Sequence, residues 1–532
     1  MRGPGSAPVP PRRRRAAPAA LAALARACAG PGGGDPRRET DPARPAGTLR
    51  VALRAAPRTL NPNTWDEAAG SVGRNLYNQL VSLDTDLHPI PDLARSWEVS
   101  ADGLAYTFHL AEGVSWHDGR PFGSGDVAWT LRALRSEKAF AGDLAARIAA
   151  VETPDAATVV VRLAEPWAPF LTTLAWYGTY ILPRHLHAGA PFGEAAADRA
   201  PVGTGPFRLA AWEPERIVLA ANRRYFRPGP HLERLVYRVL AEPDAASAGP
   251  VLRGEIDYLA LRPRPDLIQA LRRAPELVLD SRPSNARYYA GFNVRRPPFS
   301  DLRVRRAVNM ALDREALVER VLAGYGAPAY GFYTPAVAWA FNERARAPAF
   351  DPAAAAALLD AAGLRPGPDG VRFSATLVCP DAGPYNGLAR EMTRQLAEVG
   401  IALDVEALAV DRYLDRLLGG RDFDLGLMGG SHGPDPANLE IRFGTHGKQQ
   451  FMGYADSALD RLLARGARQT NPALRARAYD QAQALLARTL PMAPLAEAVG
   501  FVAYRRGLAG LPQGDARGLV AGGDFSLARW RR

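Results

Sequence analysis

A unit of helix, glycine and strand constrains the fold of this chain more than any other feature of its sequence. Apolar residues recur at helical spacing through residues 388–399, Gly400 ends the run, and Ile401–Leu408 alternates as a strand does. This unit is typical of a sheet that is covered by helices. The second half of the chain is therefore predicted to fold as α/β.

Cap residues mark three more helices in the same half of the chain. Asp301 and Asp313 each stand directly before a run with one apolar helical face. Asp351 as N-cap, Pro352 at the first helical position and Gly363 after the last turn bracket the third helix.

The first half of the chain carries more strand signals than helix signals. Thr48–Leu53 is predicted to be a strand, and residues 100–103 carry the Asp-Gly turn of a hairpin. Residues 75–83 are predicted to form a helix, because Leu76 and Leu80 lie four positions apart on one face.

Length and charge narrow the class of protein. A chain of 532 residues is too long for a single core and indicates two or three domains. The net charge is +11, and all but two of the 66 basic residues are arginines scattered among carboxylates. Because no basic stripe is interleaved with aromatic residues, nucleic acid is not a predicted partner.

The N-terminus has the features of an export signal. Residues 12–15 are four arginines, residues 16–27 form a short apolar segment, and small residues precede Cys28. Residues 1–28 are therefore predicted to be a signal peptide of lipoprotein type, acylated at Cys28. The alternatives are a signal that is simply cleaved and a disordered alanine-rich tail. Residues 29–46 are predicted to be a flexible linker.

Several long motifs resemble family 5 extracytoplasmic solute-binding proteins, the peptide, nickel and opine receptors of ABC importers. Residues 106–134, YTFHLAEGVSWHDGRPFGSGDVAWTLRAL, are similar to the hallmark segment of that family. Further matching motifs follow the family's order, at residues 91–98, 203–209, 222–226, 298–299 and 301–307. The resemblance extends over residues 48–505.

The resemblance implies an α/β, periplasmic-binding-protein-like two-lobe fold with a ligand cleft and an additional α+β domain. Lobe I would combine residues 47–83, 201–285 and 497–532, the extra domain residues 84–200, and lobe III residues 286–496. The implied function is that of the substrate-binding subunit of an ABC importer, for oligopeptides or peptide-like solutes. The protein would be an exported monomer in the periplasm or on the outer face of the cytoplasmic membrane. Its partners would be permease and ATPase subunits, and it would have no enzymatic activity, cofactor or metal.

The loop at residues 429–436 is the part of the site on which the resemblance and the sequence differ. Peptide-binding members carry a Trp and an Asp there, and the Asp pairs with the α-ammonium group of the ligand. This chain has Gly430 and His432-Gly433 at those places, and Asp435 belongs to the Asp-Pro that follows. Either Asp435 acts from a shifted backbone, or the ligand offers no ammonium group at this point.

The resemblance and the residue types suggest further ligand-binding candidates on other segments. Each has an ordinary structural alternative: packing in a lobe core for the aromatic residues, a capped turn for the residues after the first strand, and a solvated surface position for the arginine. The full set of candidates is Arg58, Asn61, Tyr288, Tyr289, Asn293, Tyr385, Ser431, His432, Asp435 and Arg442.

Two other readings remain open. Gly429–Gly433 fits the G-x-S-x-G pattern of a nucleophile elbow, which makes Ser431 the candidate nucleophile of a serine hydrolase. Two prolines follow within five residues of Ser431, and His446 is the only histidine after the motif. His117-Asp118 looks catalytic in isolation but is favoured as turn chemistry, and His185-x-His187 offers two metal ligands at most. A metal-chelator or another non-peptide solute is the alternative ligand.

Overall fold

The computed structural model describes residues 47–84, 86–176, 178–240, 248–261, 265–512 and 524–531. The predicted signal peptide of residues 1–28, its Cys28 and the linker of residues 29–46 lie outside the described residues. Among the described helices, none combines the length and apolar character needed to cross a membrane.

Strands are distributed along the whole described chain. In chain order they are β1 (Thr48–Leu53), β2 (Val81–Leu83), β3 (Pro89–Pro91), β4 (Ala94–Val99), β5 (Ala105–Leu110), β6 (Ile148–Asp155), β7 (Thr158–Leu163), β8 (Phe207–Glu213), β9 (Arg216–Ala221), β10 (Arg234–Val239), β11 (Tyr258–Leu261), β12 (Leu277–Phe292), β13 (Ala327–Pro328), β14 (Phe373–Pro380), β15 (Ile401–Leu408), β16 (Leu425–Ser431), β17 (Met492–Arg505), β18 (Leu508–Ala509) and β19 (Arg529–Trp530).

Most of the longer helices lie in the second half of the chain. The helices are α1 (Glu67–Gly73), α2 (Ser124–Ala133), α3 (Gly142–Ala146), α4 (Phe170–Leu174), α5 (Arg184–His187), α6 (Ala248–Leu252), α7 (Pro265–Arg272), α8 (Leu302–Ala311), α9 (Arg314–Leu322), α10 (Pro352–Ala361), α11 (Gly383–Ala397), α12 (Val410–Leu414), α13 (Leu439–Phe443), α14 (Ser457–Arg468) and α15 (Pro472–Thr489).

One mixed sheet of eleven strands organises the fold, in the order β15-β14-β16-β12-β17-β11-β1-β10-β9-β8, with β13 beside β17. The two long strands β12 and β17 run antiparallel from the pair Leu277 and Arg505 to the pair Gly291 and Met492. β12 also pairs with β16, whereas β17 also pairs with β11. The two long strands therefore belong to both halves of the sheet and join them.

The helix, glycine and strand unit forms as predicted. α11 lies between β14 and β15, which pair in parallel from Phe373 and Ile401 onward. Gly400 joins helix to strand with φ +78°, a left-handed conformation that glycine adopts without strain. The three predicted caps are also present, since the carboxylates of Asp301, Asp313 and Asp351 accept N–H bonds at the starts of α8, α9 and α10.

A second, smaller sheet makes the additional α+β part of the fold. Its four antiparallel strands have the order β4-β5-β7-β6, and β4 and β5 form the hairpin predicted around residues 100–103. Phe108, Val159 and Val161 are fully buried on one face, together with Leu131 of α2. Alternating burial along β5 and β7 is what a sheet with one covered face requires.

The helix predicted for residues 75–83 is wrong. The helix of this region is α1, which begins after the N-cap Asp66, whose carboxylate accepts from the N–H groups of Ala68 and Ala69, and ends at Gly73. The following asparagines bond to distant parts of the chain. Asn75 accepts from the N–H of Phe525, and Asn78 donates to Asp92, each at 2.9 Å. These long-range bonds hold residues 75–80 in an irregular conformation, and residues 81–83 form β2, neither of which helical spacing alone can reveal.

Candidate functional site

The parallel strands β14 and β16 are neighbours, and the carboxyl end of β16 meets the middle of β12. β14 ends at Pro380 and β16 at Ser431, and the backbone of Ser431 pairs with Ala286 of β12. In α/β sheets, ligands bind beyond such strand ends. The rings of Tyr288 and Tyr385 pack at 5.6 Å beside this edge, so two of the three predicted tyrosines lie here.

Asn285 holds the loop that contains Ser431. The Ser431 hydroxyl donates to the side-chain oxygen of Asn285 at 2.8 Å and accepts from the N–H of Gly433 at 3.0 Å. The amide of Asn285 donates to the Gly433 carbonyl at 2.8 Å, and its backbone carbonyl accepts from the N–H of His432. The Ser431 hydroxyl is therefore engaged in fixing the turn.

Gly430 leaves open space at the end of β16. Its φ is +127°, and a Cβ built on it would meet no atom within 4 Å. Gly433, by contrast, is enclosed, because a Cβ there would lie 1.4 Å from the side-chain nitrogen of Asn438. The loop is tightly packed at Gly433 and open at Gly430, the place where the resemblance would put a Trp.

A buried ion pair connects the two long strands beside this loop. Arg287 of β12 is fully buried, and its Nη2 lies 2.9 Å from Glu497 of β17 and donates to the Gly331 carbonyl. Burial lowers the pKa of Arg287 and raises that of Glu497, since both lose hydration. Nε and Nη1 of Arg287 and Oε2 of Glu497 have no hydrogen-bond partner among the described residues.

His432 is buried between two tyrosines. Its ring centroid lies 6.1 Å from that of Tyr289 and 6.2 Å from that of Tyr333. Burial, and then the positive charges of Arg442 and Arg287, hold the pKa of His432 well below its usual value. The imidazole is therefore neutral at physiological pH, and its Nε2 has no partner among the described residues.

Arg442 reaches the same loop from α13. It is 8% exposed, and its Nη2 donates to the Ser431 carbonyl at 2.6 Å. Its Nε has no hydrogen-bond partner within the part of the chain that the structure describes, and no described carboxylate forms an ion pair with it. Arg442 thus differs from Arg287, whose charge Glu497 balances.

Asp435 is buried and bound from within the protein. Both of its carboxylate oxygens accept from Nη2 of Arg475, at 2.7 and 2.8 Å, and one also accepts from the N–H of Ala437. The guanidinium of Arg475 lies over the ring of Trp339, 5.0 Å from its centroid. The carboxylate of Asp435, a candidate partner for a ligand's ammonium group, is therefore already paired with Arg475 inside the protein.

The remaining predicted residues bond to other residues of the protein, most of them distant in the sequence. The Arg58 side chain is exposed, and its backbone N–H donates to Asp66. Asn61 is buried and donates to Asp198 at 2.9 Å. The other contacts are those of Asn293, which donates to the carbonyls of Arg421 and Phe423, and of Tyr289, which donates to the sulfur of Met428.

The histidines singled out in the sequence have partners within the fold. His117 accepts from the N–H of Gly203 and donates to the carbonyl of Gly205, which makes it a structural bridge. His185 and His187 each bond to a different carboxylate, of Asp118 and Asp198 respectively. A further group of possible ligand atoms, within 4.8 Å of one another, is exposed in the turn between β2 and β3 and comprises Asp84, Asp86 and His88.

Sequence reasoning missed the partners that give the site its charge. The residues missed contact predicted residues or lie next to them: Asn285 and Arg287 share β12 with Tyr288 and Tyr289, whereas Arg475 and Glu497 stand on α15 and β17. A signal was present for two of them, because Arg287 and Glu497 interrupt apolar strand segments, and a buried charge in such a segment needs a partner.

This architecture defines a class of protein. Two α/β lobes joined by long shared strands, with a polar site at the strand ends beside the crossover, are characteristic of two-lobe solute-binding receptors. The family described as "Bacterial extracellular solute-binding proteins, family 5 Middle" matches residues 88–450. The chain belongs to this family, and the resemblance in its sequence is confirmed.

Relatives and solved structures agree with that assignment. The chain is 31% identical to the dipeptide-binding protein of Escherichia coli K12 over 427 residues, 73% of this chain and 77% of that protein. It is 29% identical to di/tripeptide-binding protein 1 of Pseudomonas aeruginosa UCBPP-PA14, over 83% and 86% of the two chains.

The oligopeptide-binding protein AppA of Bacillus subtilis, solved with a nonapeptide, has a TM-score of 0.75 at 25% identity and covers 92% of this chain and 100% of that one. The substrate-binding protein CtaP of Listeria monocytogenes, at 22% identity, shares the fold with a TM-score of 0.84 over 92% of this chain and 100% of that chain. The two-lobe α/β prediction is confirmed.

Proposed function

We propose that this protein is the extracytoplasmic substrate-binding subunit of an ABC importer and takes peptide-like solutes. The observation that carries the proposal is the polar cluster at the strand ends, where buried groups are incompletely bonded beside the two long strands shared by both lobes. Peptide-like ligands are supported by the names of the relatives, which are di- and tripeptide-binding proteins, and by the nonapeptide complex of AppA.

Binding would work by closure of the lobes. A ligand that contacts both lobes only in the closed state shifts the population toward closure, and an importer then distinguishes a loaded receptor from an empty one. β12 and β17 change register between Pro283 and Arg287, which is a suitable place for the bend. In this proposal, the boundaries between lobe I and lobe III near residues 285 and 497 lie on the same two strands, β12 and β17.

Retained cargo provides the test of the binding function. Protein purified from its own host is expected to carry a small solute that native mass spectrometry detects. Removing that solute by unfolding and refolding should expand the particle in small-angle scattering, and adding it back should compact it. A concentration of one hundred times Kd should stabilise the fold by about 2.7 kcal/mol. A protein without cargo that no member of a di- and tripeptide library stabilises would contradict the proposal.

Ser431 has no catalytic role in this proposal. Its hydroxyl donates to the Asn285 amide oxygen and not to a base, which supports binding without chemistry. A fluorophosphonate probe is therefore expected not to label the protein, and Ser431→Ala should keep its cargo. The variant should lose about 1 kcal/mol of stability, because Asn285 loses one hydrogen-bond partner. Labelling that Ser431→Ala abolishes would support the hydrolase reading instead.

The proposed location is outside the cytoplasm, anchored through an acylated Cys28 and the linker of residues 29–46. The single cysteine after small residues supports acylation. The partners would be the permease and ATPase subunits of an importer, to which a monomeric receptor delivers its solute. Metabolic labelling with a lipid probe, compared with Cys28→Ala, tests the anchor.

A further inference from the structure

We propose that the cleft recognises an anionic group of its ligand, a carboxylate, at a subsite formed by Arg442 with His432 and Arg287. The inference rests on the proposed binding function and names the chemistry of the solute. It reverses the expectation from the resemblance, in which this loop would hold a positively charged ammonium group.

The balance of buried charge carries the inference. Three arginines surround the loop, and two of them have a carboxylate partner: Arg287, which is fully buried, pairs with Glu497, and Arg475, whose side chain is 11% exposed, pairs with Asp435. Arg442 is 8% exposed, yet it forms no ion pair with any described carboxylate. A buried guanidinium without a counter-charge is costly, and an anion that enters the site removes this cost.

Unsatisfied donors point to the same place. Nε of Arg442 and both Nε and Nη1 of Arg287 lack partners among the described residues, as do Nε2 of His432 and the hydroxyl of Tyr333. These groups lie close together: the Tyr333 ring packs against the His432 ring, and the charges of Arg442 and Arg287 lower the pKa of His432. A carboxylate has two oxygens that accept several hydrogen bonds, so it satisfies more of these groups than any neutral solute.

An ammonium group fits this subsite poorly. Asp435 already accepts two bonds from Arg475, and the charge of Glu497 is balanced by Arg287, although its second oxygen has no partner among the described residues. Arg442 would repel a second cation in a site of low dielectric constant. Since a peptide-like solute carries its negative charge as a carboxylate, the anion is either its C-terminus or an acidic side chain.

The test compares ligands before it compares variants. Wild-type protein is offered di- and tripeptide libraries as free acids and as C-terminal amides, each with and without Asp or Glu residues, and binding is read by native mass spectrometry and calorimetry. We expect amides without an acidic side chain to bind about 30-fold or more weakly than the free acids. N-terminal acetylation is expected to change affinity little.

Arg442→Gln should remove this preference, so that acids and amides bind with equal affinity. Arg305→Gln is the matched control, since Arg305 is also 8% exposed but all of its nitrogens donate to backbone carbonyls. The control should melt at lower temperature and keep the preference for acids.

Each outcome decides something specific. If the wild type binds amides as tightly as acids, or if cargo retained from the host carries no acidic group, the inference is overturned while the binding function stands. A preference for acids that Arg442→Gln leaves unchanged places the anion elsewhere and also overturns it. If the protein neither retains cargo nor binds any peptide, the proposed function itself fails.

Discussion

Asp435→Ala is expected to lower the free energy of unfolding of the ligand-free protein by about 3–5 kcal/mol. Both oxygens of Asp435 bond to Arg475, and the pair is almost completely buried. Removing the carboxylate leaves a guanidinium inside the protein without a counter-charge, which is more costly than losing the attraction between the two groups. Urea unfolding of wild type and variant, followed by fluorescence, measures the difference.

Two further variants separate this explanation from a general effect of mutation. Adding Arg475→Met to Asp435→Ala should recover most of the lost stability. The methionine keeps the apolar contact with Trp339 and removes the unpaired positive charge. Glu213→Ala breaks an ion pair in which both side chains are about half exposed, and it should cost no more than about 1 kcal/mol. If Asp435→Ala is as stable as the wild type but loses its cargo, Asp435 is a ligand residue instead.

Asp435 also illustrates what sequence can and cannot say about the site. The Gly-rich motif and the resemblance drew attention to the loop with Ser431, His432 and Asp435, and the structure places this loop beside the sheet crossover. The partner that decides the state of Asp435 is Arg475 on α15, forty residues later. No local pattern links the two residues, because their contact depends on how separate helices pack.

The fold was more predictable than the site because its signals are local. Capping carboxylates and glycines at helix ends satisfy backbone groups within a few residues, so Asp301, Asp313, Asp351 and Gly400 predicted element boundaries correctly. The helix predicted for residues 75–83 failed for the opposite reason. Its side chains bond to residues far away in the sequence, and those bonds override helical spacing.

Acidification is the second large effect that the structure predicts, and it acts through His117. Nδ1 of His117 accepts from the N–H of Gly203, so the ring is neutral and its Nε2 donates to Gly205. Burial lowers the pKa of His117 to about 4, against the opposing effect of its bond to Gly205, with the charge of Arg208 adding to the shift and that of Asp118 opposing it. A proton added at Nδ1 would break the bond to Gly203.

The sign of the effect follows from the two pKa values. The unfolded chain binds this proton near pH 6.5 and the folded protein near pH 4, so acid favours unfolding between these values. The contribution of His117 to the free energy of unfolding is complete above pH 6.5, and about 3 kcal/mol of it should be lost as the pH falls to 4. His432, whose pKa is also lowered, adds to the loss, whereas Asp92, with a pKa raised to about 6, opposes it.

His117→Gln isolates the contribution of this one group. A glutamine offers an oxygen to Gly203 and an amide to Gly205, so it keeps both bonds but does not titrate between pH 4 and 8. At pH 8 the two proteins should differ by no more than about 1 kcal/mol. Toward pH 4 the variant should become the more stable, because contributions from His432 and Asp92 are common to both proteins and cancel. Stability curves that stay parallel over this range would show that His117 is protonated in the folded state as easily as in the unfolded chain.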